Sequence, residues 1–188
     1  MEFIRELSKT KKILLAIVLT IFIFSIGFFI YHKFFFVDKA NIYYRVYTKE
    51  KGWSSWRKNG QTAGNGKYEI KNIQLRTSRK EGFSKIGYGI YSKGKWIYEE
   101  ALNSTNKEYD IRGLKVSYSN ERMSSKFNLC YRTYNDEDKW MPWRCDGNLN
   151  GNKEQAIKAV EIKAISINDI KNEQLKDYDL NSSSIDEF

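Results

Sequence analysis

Two segments of this 188-residue chain repeat each other at a fixed offset of 87 positions. Residues 44–76 align without a gap with residues 131–163, and a Trp-x-x-Trp-Arg core coincides in both. A degenerate third copy lies between them. It keeps the first Trp as Trp96 but has Glu99 at the position of the second. A unit of about 43 residues cannot bury an adequate core by itself, so such units pack against each other. We place the three copies at about 42–77, 86–118 and 127–166.

Each copy has the composition of short β-strands joined by tight turns. Its first segment is rich in Tyr, Val and Thr, and Asn-Gly and Asp-Gly pairs mark turns further along. Its last segment spaces Ile, Leu and Val two or three apart, which leaves a helical turn over residues 155–160 as a local alternative. We predict an all-β, pseudo-threefold domain over residues 41–167. A β-prism is favoured, a β-trefoil is second and an open solenoid is third.

A long apolar run precedes this domain. Residues 13–31 contain no charged side chain, and a helix of that length spans roughly 28 Å, close to the hydrocarbon thickness of a bilayer. A cleavable signal peptide is the alternative, but its apolar stretch is shorter and ends at a small-x-small site, which is absent here. We predict one uncleaved transmembrane helix with its juxtamembrane segment over residues 13–37.

The charge on the two flanks of the apolar run predicts its orientation. Four basic residues precede the run and two follow it closely, and the positive-inside rule counts basic residues. Residues 1–12 are therefore expected to be a cytoplasmic tail, with the large C-terminal domain extracellular in a single-pass protein of the cell membrane. Residues 168–188 turn acidic and polar, which predicts a flexible tail.

Composition narrows the function classes. The chain has one His and two Cys, too few for a metal cluster or a His-based nucleophilic triad, so we expect no enzyme, no metal and no cofactor. Residues 39–168 carry 25 Lys or Arg against 14 Asp or Glu, a net charge of +11. That charge favours anionic wall polymers or the anionic lipid surface beside the anchor. Interleaved basic and aromatic residues also occur on nucleic-acid surfaces, but an outward-facing domain makes nucleic acid an unexpected ligand.

The first copy contains the pattern Gly-Trp-x-x-Trp-x-x-Asn-Gly, then Ala-Gly, then Ile-x-x-Ile-x-Leu, over residues 52–75. This pattern resembles the ChW repeat, a clostridial hydrophobic repeat with a central tryptophan. The resemblance covers residues 41–167 and is weakest in the middle copy, which lacks the second Trp and the two glycines. It implies an exported surface protein of a clostridial, Gram-positive cell, with polysaccharide binding, adhesion or wall association as its role.

The two Trp positions of each copy are expected to differ in role. An odd spacing on a continuous strand places Trp53 and Trp56 on opposite faces of a sheet. The first Trp is present in all three copies, which favours a core role for Trp53, Trp96 and Trp140. The second is missing from the middle copy, which favours ligand stacking by Trp56 and Trp143. Core packing of all five is the alternative.

Polar residues after the second Trp complete the candidate site. Asn59, Gln61 and Thr62 lie in a Gly-flanked loop, where side-chain amides and hydroxyls bind sugar hydroxyls. Arg57 and Arg144 each follow the second Trp and suit phosphate or carboxylate groups, with a structural ion pair as the alternative. We therefore predict a surface protein that binds carbohydrate or an anionic cell-wall polymer. The alternative is a structural or protein-interaction subunit with a protein partner and no glycan ligand.

The two cysteines, Cys130 and Cys145, stand outside the repeat pattern and are fifteen positions apart. In an oxidising exterior they could form a disulfide between neighbouring strands. Many Gram-positive surface proteins have no disulfide, so the sequence leaves the bonded and the free states both open.

Overall fold

The computed structural model describes residues 9–35, 40–77, 86–98, 108–119, 121–172 and 178–179. The chain divides into two compact units, Met1–Asp38 and Lys39–Phe188. The first unit contains helix α1, Lys9–Phe35. Its candidate membrane span, Lys9–Tyr31, contains an 18-residue window with a mean hydropathy of 3.0 and no buried residue. By length and composition α1 can cross a membrane. It begins before the predicted span, within the segment assigned to the cytoplasmic tail.

The second unit is built mainly from antiparallel β-strands, which confirms the prediction of a mostly β domain behind one apolar helix. Short helical segments, α2 at Glu121–Ser124 and α3 at Ile167–Asn172, flank its last sheet. The strands are β1 (Ile42–Thr48), β2 (Gly52–Trp53), β3 (Arg57–Lys58), β4 (Ala63–Gly64), β5 (Ile70–Thr77), β6 (Ile86–Ser92), β7 (Lys95–Tyr98), β8 (Ile111–Tyr118), β9 (Phe127–Asn135), β10 (Lys139–Trp140), β11 (Trp143–Cys145), β12 (Ala159–Ser166) and β13 (Tyr178–Asp179).

The strands form three sheets with related pairing. In sheet 1, β1 pairs with β5 on one side and with the short strands β2 and β3 on the other. Sheet 2 pairs β6 with β8 and with β7. Sheet 3 pairs β9 with β12, β10 and β11, and it also takes β4 and β13 at its edges.

One face of each sheet forms the core. The first strands alternate between buried and half-exposed positions, as a strand with one solvated face should. Tyr44 and Tyr131 occupy the same place in sheets 1 and 3, and both are fully buried. Other buried apolar side chains come from the first and last strands of the three sheets, among them Ile42, Val46, Ile70, Ile73, Ile90, Leu114, Val116, Leu129, Val160 and Ile162.

A β-bulge explains the irregular spacing in the last strands. Thr48 pairs with Ile70 and Tyr47 pairs with Asn72, so Lys71 is an extra residue on β5. The extra residue returns Ile73 to the buried face although it lies three positions after Ile70. The same shift occurs in β8. In the third copy, residues 155–158 form no helix and β12 begins at Ala159, so the helical alternative is wrong.

The three sheets contact each other in a cycle. The first strand of each sheet lies beside the last strand of another: β6 beside β5, β9 beside β8, and β1 beside β12. Turn backbone adds hydrogen bonds across the joints, since Gly60 N–H donates to Ile162 O and Gly147 N–H donates to Val116 O, at 2.7 and 2.9 Å. Each loop is thus satisfied by a strand from a different sheet.

Two glycines make the closest approaches between sheets. A Cβ at Gly64 would collide with the backbone of Lys158 and Ala159, and one at Gly151 would collide with the backbone of Arg112 and Gly113. Both glycines also have a positive φ, 96° and 115°, which disfavours any larger residue.

The end of the chain differs from its predicted state. Residues 167–172 form α3, and Tyr178–Asp179 pairs in parallel with β11. The acidic segment is therefore held against sheet 3 at these positions, and the prediction of a flexible tail is wrong for them. The rest of the predicted tail lies outside the described residues.

Candidate functional site

Each sheet has an aromatic pair on the face opposite the core. The pairs are Tyr47–Trp53, Tyr91–Trp96 and Tyr134–Trp140, and the ring centroids are 5.6 Å apart in all three. In each sheet the strand that contains the Trp runs antiparallel to the first strand, and the Trp pairs directly with the Tyr. We call this the outer face of the sheet.

On sheet 1 an arginine joins the two tryptophans. The Arg45 guanidinium carbon lies 4.7 Å from the ring centroid of Trp53 and 4.8 Å from that of Trp56. Arg76, opposite Tyr43 on β5, then lies 3.9 Å from the Trp56 centroid. Trp53, Arg45, Trp56 and Arg76 thus form a stack of alternating rings and cations, a geometry in which the ring quadrupole attracts the charge. We call it the sheet 1 stack.

Sheet 3 repeats the stack with the same distances. The Arg132 guanidinium carbon lies 4.7 Å from the Trp140 centroid and 4.8 Å from the Trp143 centroid. Lys163 takes the place of Arg76, with its ammonium 4.3 Å from the Trp143 centroid. We call this series the sheet 3 stack.

The two tryptophans of a copy lie on one side of the sheet, so the expected opposite faces are wrong. A regular ladder continuing from the Tyr47–Trp53 pair would place Trp56 opposite Tyr44, but Tyr44 pairs with Arg57 instead. One extra residue therefore lies between β2 and β3. Such a bulge reverses the alternation and brings an odd-spaced residue to the same face.

The expected core role of the first tryptophan is also wrong. Trp53, Trp96 and Trp140 are half-buried on the outer face, and so are Trp56 and Trp143. The fully buried aromatic positions are instead Tyr44 and Tyr131. All five tryptophans belong to one class, and their burial comes from the cations and tyrosines stacked on them.

The two stacks differ in the group that holds the central arginine. Arg45 Nε donates to the neutral amide oxygen of Gln74 at 2.9 Å, whereas Arg132 Nε donates to the Glu161 carboxylate at 2.8 Å. Gln74 and Glu161 occupy matched positions opposite the arginines. Glu161 also accepts a 2.6 Å hydrogen bond from Thr62. The sheet 3 stack is therefore partly neutralised, and the sheet 1 stack keeps its full positive charge.

Sheet 2 has a reduced version of the stack. Gly89 stands where sheets 1 and 3 have the arginine, and Lys115 stands opposite it where they have Gln74 and Glu161. The Lys115 ammonium lies 4.7 Å from the Trp96 centroid, so a cation from the last strand replaces the one from the first. The ring of Tyr98, which is 45% exposed, covers Gly89.

Three predicted sugar-binding side chains already have partners within the protein. Asn59 accepts from Ile42 N–H and donates to Ala40 O, at 2.9 and 3.0 Å. Gln61 Oε1 accepts from Lys58 N–H at 2.9 Å, and Thr62 donates to Glu161. Asn59 is a turn cap, with Asp146 in the matched place accepting from Leu129 N–H at 2.8 Å. Asn59 therefore holds its turn against the start of β1 within sheet 1, and Thr62 joins sheet 1 to sheet 3.

The arginines after the second tryptophan lie in different settings. Arg57 is exposed on β3. Burial raises the pKa of Tyr44, and the positive charge of Arg57 offsets a small part of that rise. Arg144 is half-buried on β11, and its backbone pairs with Asp179 of β13. Arg57 is therefore the more accessible of the two cations.

Two buried tyrosines bind the loops from within. The Tyr44 hydroxyl donates to Gln61 O and the Tyr131 hydroxyl donates to Asn148 O. Burial raises the pKa of Tyr44 to about 12 and raises the pKa of Tyr131 further. Both therefore stay neutral hydrogen-bond donors at physiological pH, which suits a structural role.

Cys130 and Cys145 form a disulfide between β9 and β11, where they pair directly across the two strands. Both are buried, at 0% and 1% exposure. Sheet 1 has Tyr43 and Lys58 in the matched places. The bond closes a loop that contains both Trp140 and Trp143, so it fixes the strand segment that supports the sheet 3 stack.

Among the described residues no group of three or more His, Cys, Asp or Glu side chains could hold a metal ion. Comparison with protein families, with curated proteins and with solved structures finds no match to this chain. Sequence reasoning missed the central members of the two stacks, Arg45 and Arg132, although both align in the repeat and could have been found there.

Proposed function

We propose that this protein is a membrane-anchored surface protein whose β domain binds an anionic carbohydrate or cell-wall polymer through the outer face of sheet 1. The observation that supports it is the sheet 1 stack, in which Arg45 and Arg76 lie against Trp53 and Trp56 and the hydrogen-bond partner of Arg45 is neutral. A stacked guanidinium keeps its N–H edge directed away from the ring. That edge is the part that binds phosphate or carboxylate in two-point contacts.

Charge around the stack supports an anionic rather than a neutral ligand. Arg57, Lys58 and Arg76 are exposed on the same sheet, and Lys58 Nζ lies 6.0 Å from the Tyr43 ring. A neutral sugar would have to displace a cation in order to stack on Trp56. A phosphate or carboxylate along a polymer can instead bind the cations where they stand, with the rings holding them in place.

The domain architecture belongs to the same proposal. We interpret sheets 1, 2 and 3 as three copies of one unit that closes into a ring of the β-prism kind, as the three sequence repeats predict. The cyclic strand contacts and the matched turn hydrogen bonds support this interpretation. A prism places each outer face towards solvent, where a polymer can reach it.

Location outside the cell is the third part of the proposal. The basic flank before α1 favours an inside amino terminus. The disulfide supports an oxidising compartment for the second unit, because cytosolic thiols are kept reduced. Protease treatment of intact cells should remove residues 39–188 and leave the anchor. Protection of the domain in intact cells, with digestion after lysis, would contradict this topology.

Binding can be tested on isolated cell walls. The full chain in detergent micelles is mixed with Gram-positive wall sacculi that retain their phosphate-rich polymers, and with sacculi stripped of them by acid. We expect binding to native sacculi that weakens steeply with salt and falls about tenfold or more on stripped sacculi. Equal binding to both preparations would overturn the anionic ligand.

Matched variants assign the site. Arg76→Glu and Trp56→Ala should each weaken binding about tenfold or more, since each removes a member of the sheet 1 stack. The controls Lys163→Glu and Trp143→Ala change the matched members of sheet 3 and should cost about threefold or less. Arg76→Glu changes an exposed side chain, and its melting temperature should stay within about 5 °C of that of the parent, since an exposed cation on a ring contributes only about 0.5–1 kcal/mol. Equal losses in the two sheets would contradict a site on sheet 1.

A further inference from the structure

The edge of β11 shows what kind of segment a Trp–Arg strand can bind. β13 lies beside it in parallel, with Tyr178 opposite Trp143 and Asp179 opposite Arg144. Residues 169–188, which contain β13, carry two Lys against six Asp or Glu, a net charge of −4. Sheet 3 is thus extended by an acidic strand at its Trp–Arg edge.

Sheet 1 presents the same edge with no strand on it. β3 pairs with β1, and within the described ranges no further strand pairs with β3. Its Arg57 and Lys58 side chains are exposed, while Trp56 matches Trp143. The described residues contain two such edges, and Tyr178–Asp179 of the acidic C-terminal segment pair with the one in sheet 3.

The side chain of Gln61 occupies a hydrogen-bonding position on the β3 edge. Its side-chain oxygen accepts from the Lys58 N–H, whereas the matched Asn148 donates its amide to Cys145 O at 2.7 Å. Gln61 thus satisfies a backbone donor of β3 in sheet 1, and its counterpart in sheet 3 does not do so. A strand that paired with β3 would replace the Gln61 oxygen with a carbonyl.

We propose that the β3 edge binds an extended acidic strand of a partner protein, in parallel, with an aromatic residue opposite Trp56 and an acid opposite Arg57. Backbone pairing supplies affinity, and the Arg57 and Lys58 charges supply selectivity for an acidic segment. The partner is defined by this chemistry, and the Glu-Gln-Leu-Lys-Asp-Tyr-Asp-Leu stretch of the chain's own C-terminus is an example of it. The two proposals share the charges of Arg57 and Lys58, but strand binding uses the backbone edge of β3 whereas polymer binding uses the stacked rings and arginines of the outer face.

The test uses the full chain in detergent micelles and a labelled synthetic peptide of residues 173–188, while the chain's own segment stays on β11. We expect saturable binding with amide resonance shifts at Arg57 and Lys58. Gln61→Asn, which installs the sheet 3 residue, should strengthen binding about threefold or more, and Arg57→Glu should weaken it about tenfold. A spin label at the peptide amino end should broaden the Trp56 resonances more than one at its carboxyl end.

Two controls separate an edge site from general charge attraction. Lys95→Glu makes the same charge change as Arg57→Glu on exposed β7 and should leave peptide binding within about twofold. A peptide with Asp177→Asn and Asp179→Asn should bind about tenfold more weakly. Absence of peptide binding, or equal losses for Arg57→Glu and Lys95→Glu, would overturn the proposal. Gln61→Asn should leave sacculus binding unchanged, so the two proposals can fail separately.

Discussion

Sheets 1 and 3 share one backbone plan but use it with different charges. Both stack an arginine between two tryptophans at 4.7 and 4.8 Å, and both place a second cation on the outer ring. In sheet 3 the arginine is paired with Glu161, a disulfide replaces the Tyr43–Lys58 pair and an acidic strand covers the edge. The sheet 3 stack is thus paired with a carboxylate and lies beside a covered edge, whereas the sheet 1 stack is not, and this difference is the reason that we propose binding at sheet 1.

The joints between sheets should give the largest effect on stability. Gly64→Ala and Gly151→Ala each place a Cβ against backbone at a positive φ, and should lower the free energy of unfolding by about 3 kcal/mol or more. Gly94→Ala is the control, since it also has a positive φ but open space around it, and should cost about 1 kcal/mol. Chemical denaturation measures all three. If Gly64→Ala and Gly94→Ala lowered the free energy of unfolding equally, the backbone around Gly64 would have moved to accept the Cβ.

The disulfide should rank second. Replacing Cys130 and Cys145 by Ser removes a link that closes a fifteen-residue separation, and should cost about 3 kcal/mol. The double variant Cys130→Tyr with Cys145→Lys installs the sheet 1 pair but should not recover that loss, because both positions are buried in sheet 3 whereas Lys58 is exposed in sheet 1. Thermal melting with and without reductant checks both. If the disulfide of the parent protein is shown to be reduced and its melting temperature does not change, the prediction is wrong.

A charge exchange tests what separates the two stacks. Gln74→Glu gives Arg45 the partner that Arg132 has, and should weaken sacculus binding about tenfold through partial neutralisation of the sheet 1 stack. Glu161→Gln should do the reverse in sheet 3 and strengthen binding. Sedimentation with native sacculi measures both. Binding that is indifferent to Gln74→Glu would remove the sheet 1 stack from the site.

The smallest expected effect concerns the turn caps. Asp146 is exposed as a whole, but its carboxyl lies against the Leu129 backbone, and the loss of solvent there raises its pKa from 3.8 to about 6. The folded state therefore binds this proton more tightly than the unfolded chain does. Stability should therefore rise as the pH falls from 7 towards 4. Asp146→Asn copies Asn59 of sheet 1 and should stabilise the protein above pH 6, by no more than about 1 kcal/mol because the residue is exposed to screening solvent.

Melting curves of the parent and of Asp146→Asn between pH 4 and pH 8 check this prediction. The difference between the two proteins should shrink as the pH falls and vanish near pH 4. A constant difference across this range would show that the carboxyl does not titrate with folding.

Several parts of this molecule could be predicted from the sequence because they depend on local pattern. The charge-free run gives α1, and the Tyr- and Ile-rich segments give the first and last strands. The position of Trp56 could not be predicted, because one extra residue in the ladder with β1 reverses the alternation. Odd or even spacing predicts the face of a residue only where the strand is continuous. The same assumption made Arg45 impossible to identify, because it contacts both Trp53 and Trp56 and these must lie on one face for that.

The cyclic contacts also set the order in which the chain can fold. The loop at Gly60, strand β4 and Ile70 N–H all find their hydrogen-bond partners on residues 157–162, which are synthesised about a hundred positions later. The first third of the domain therefore has no complete fold until its last long strand has been made. A chain that leaves the ribosome in this order stays open and threadable for most of its synthesis. That state is the one that the export proposed for residues 39–188 would require.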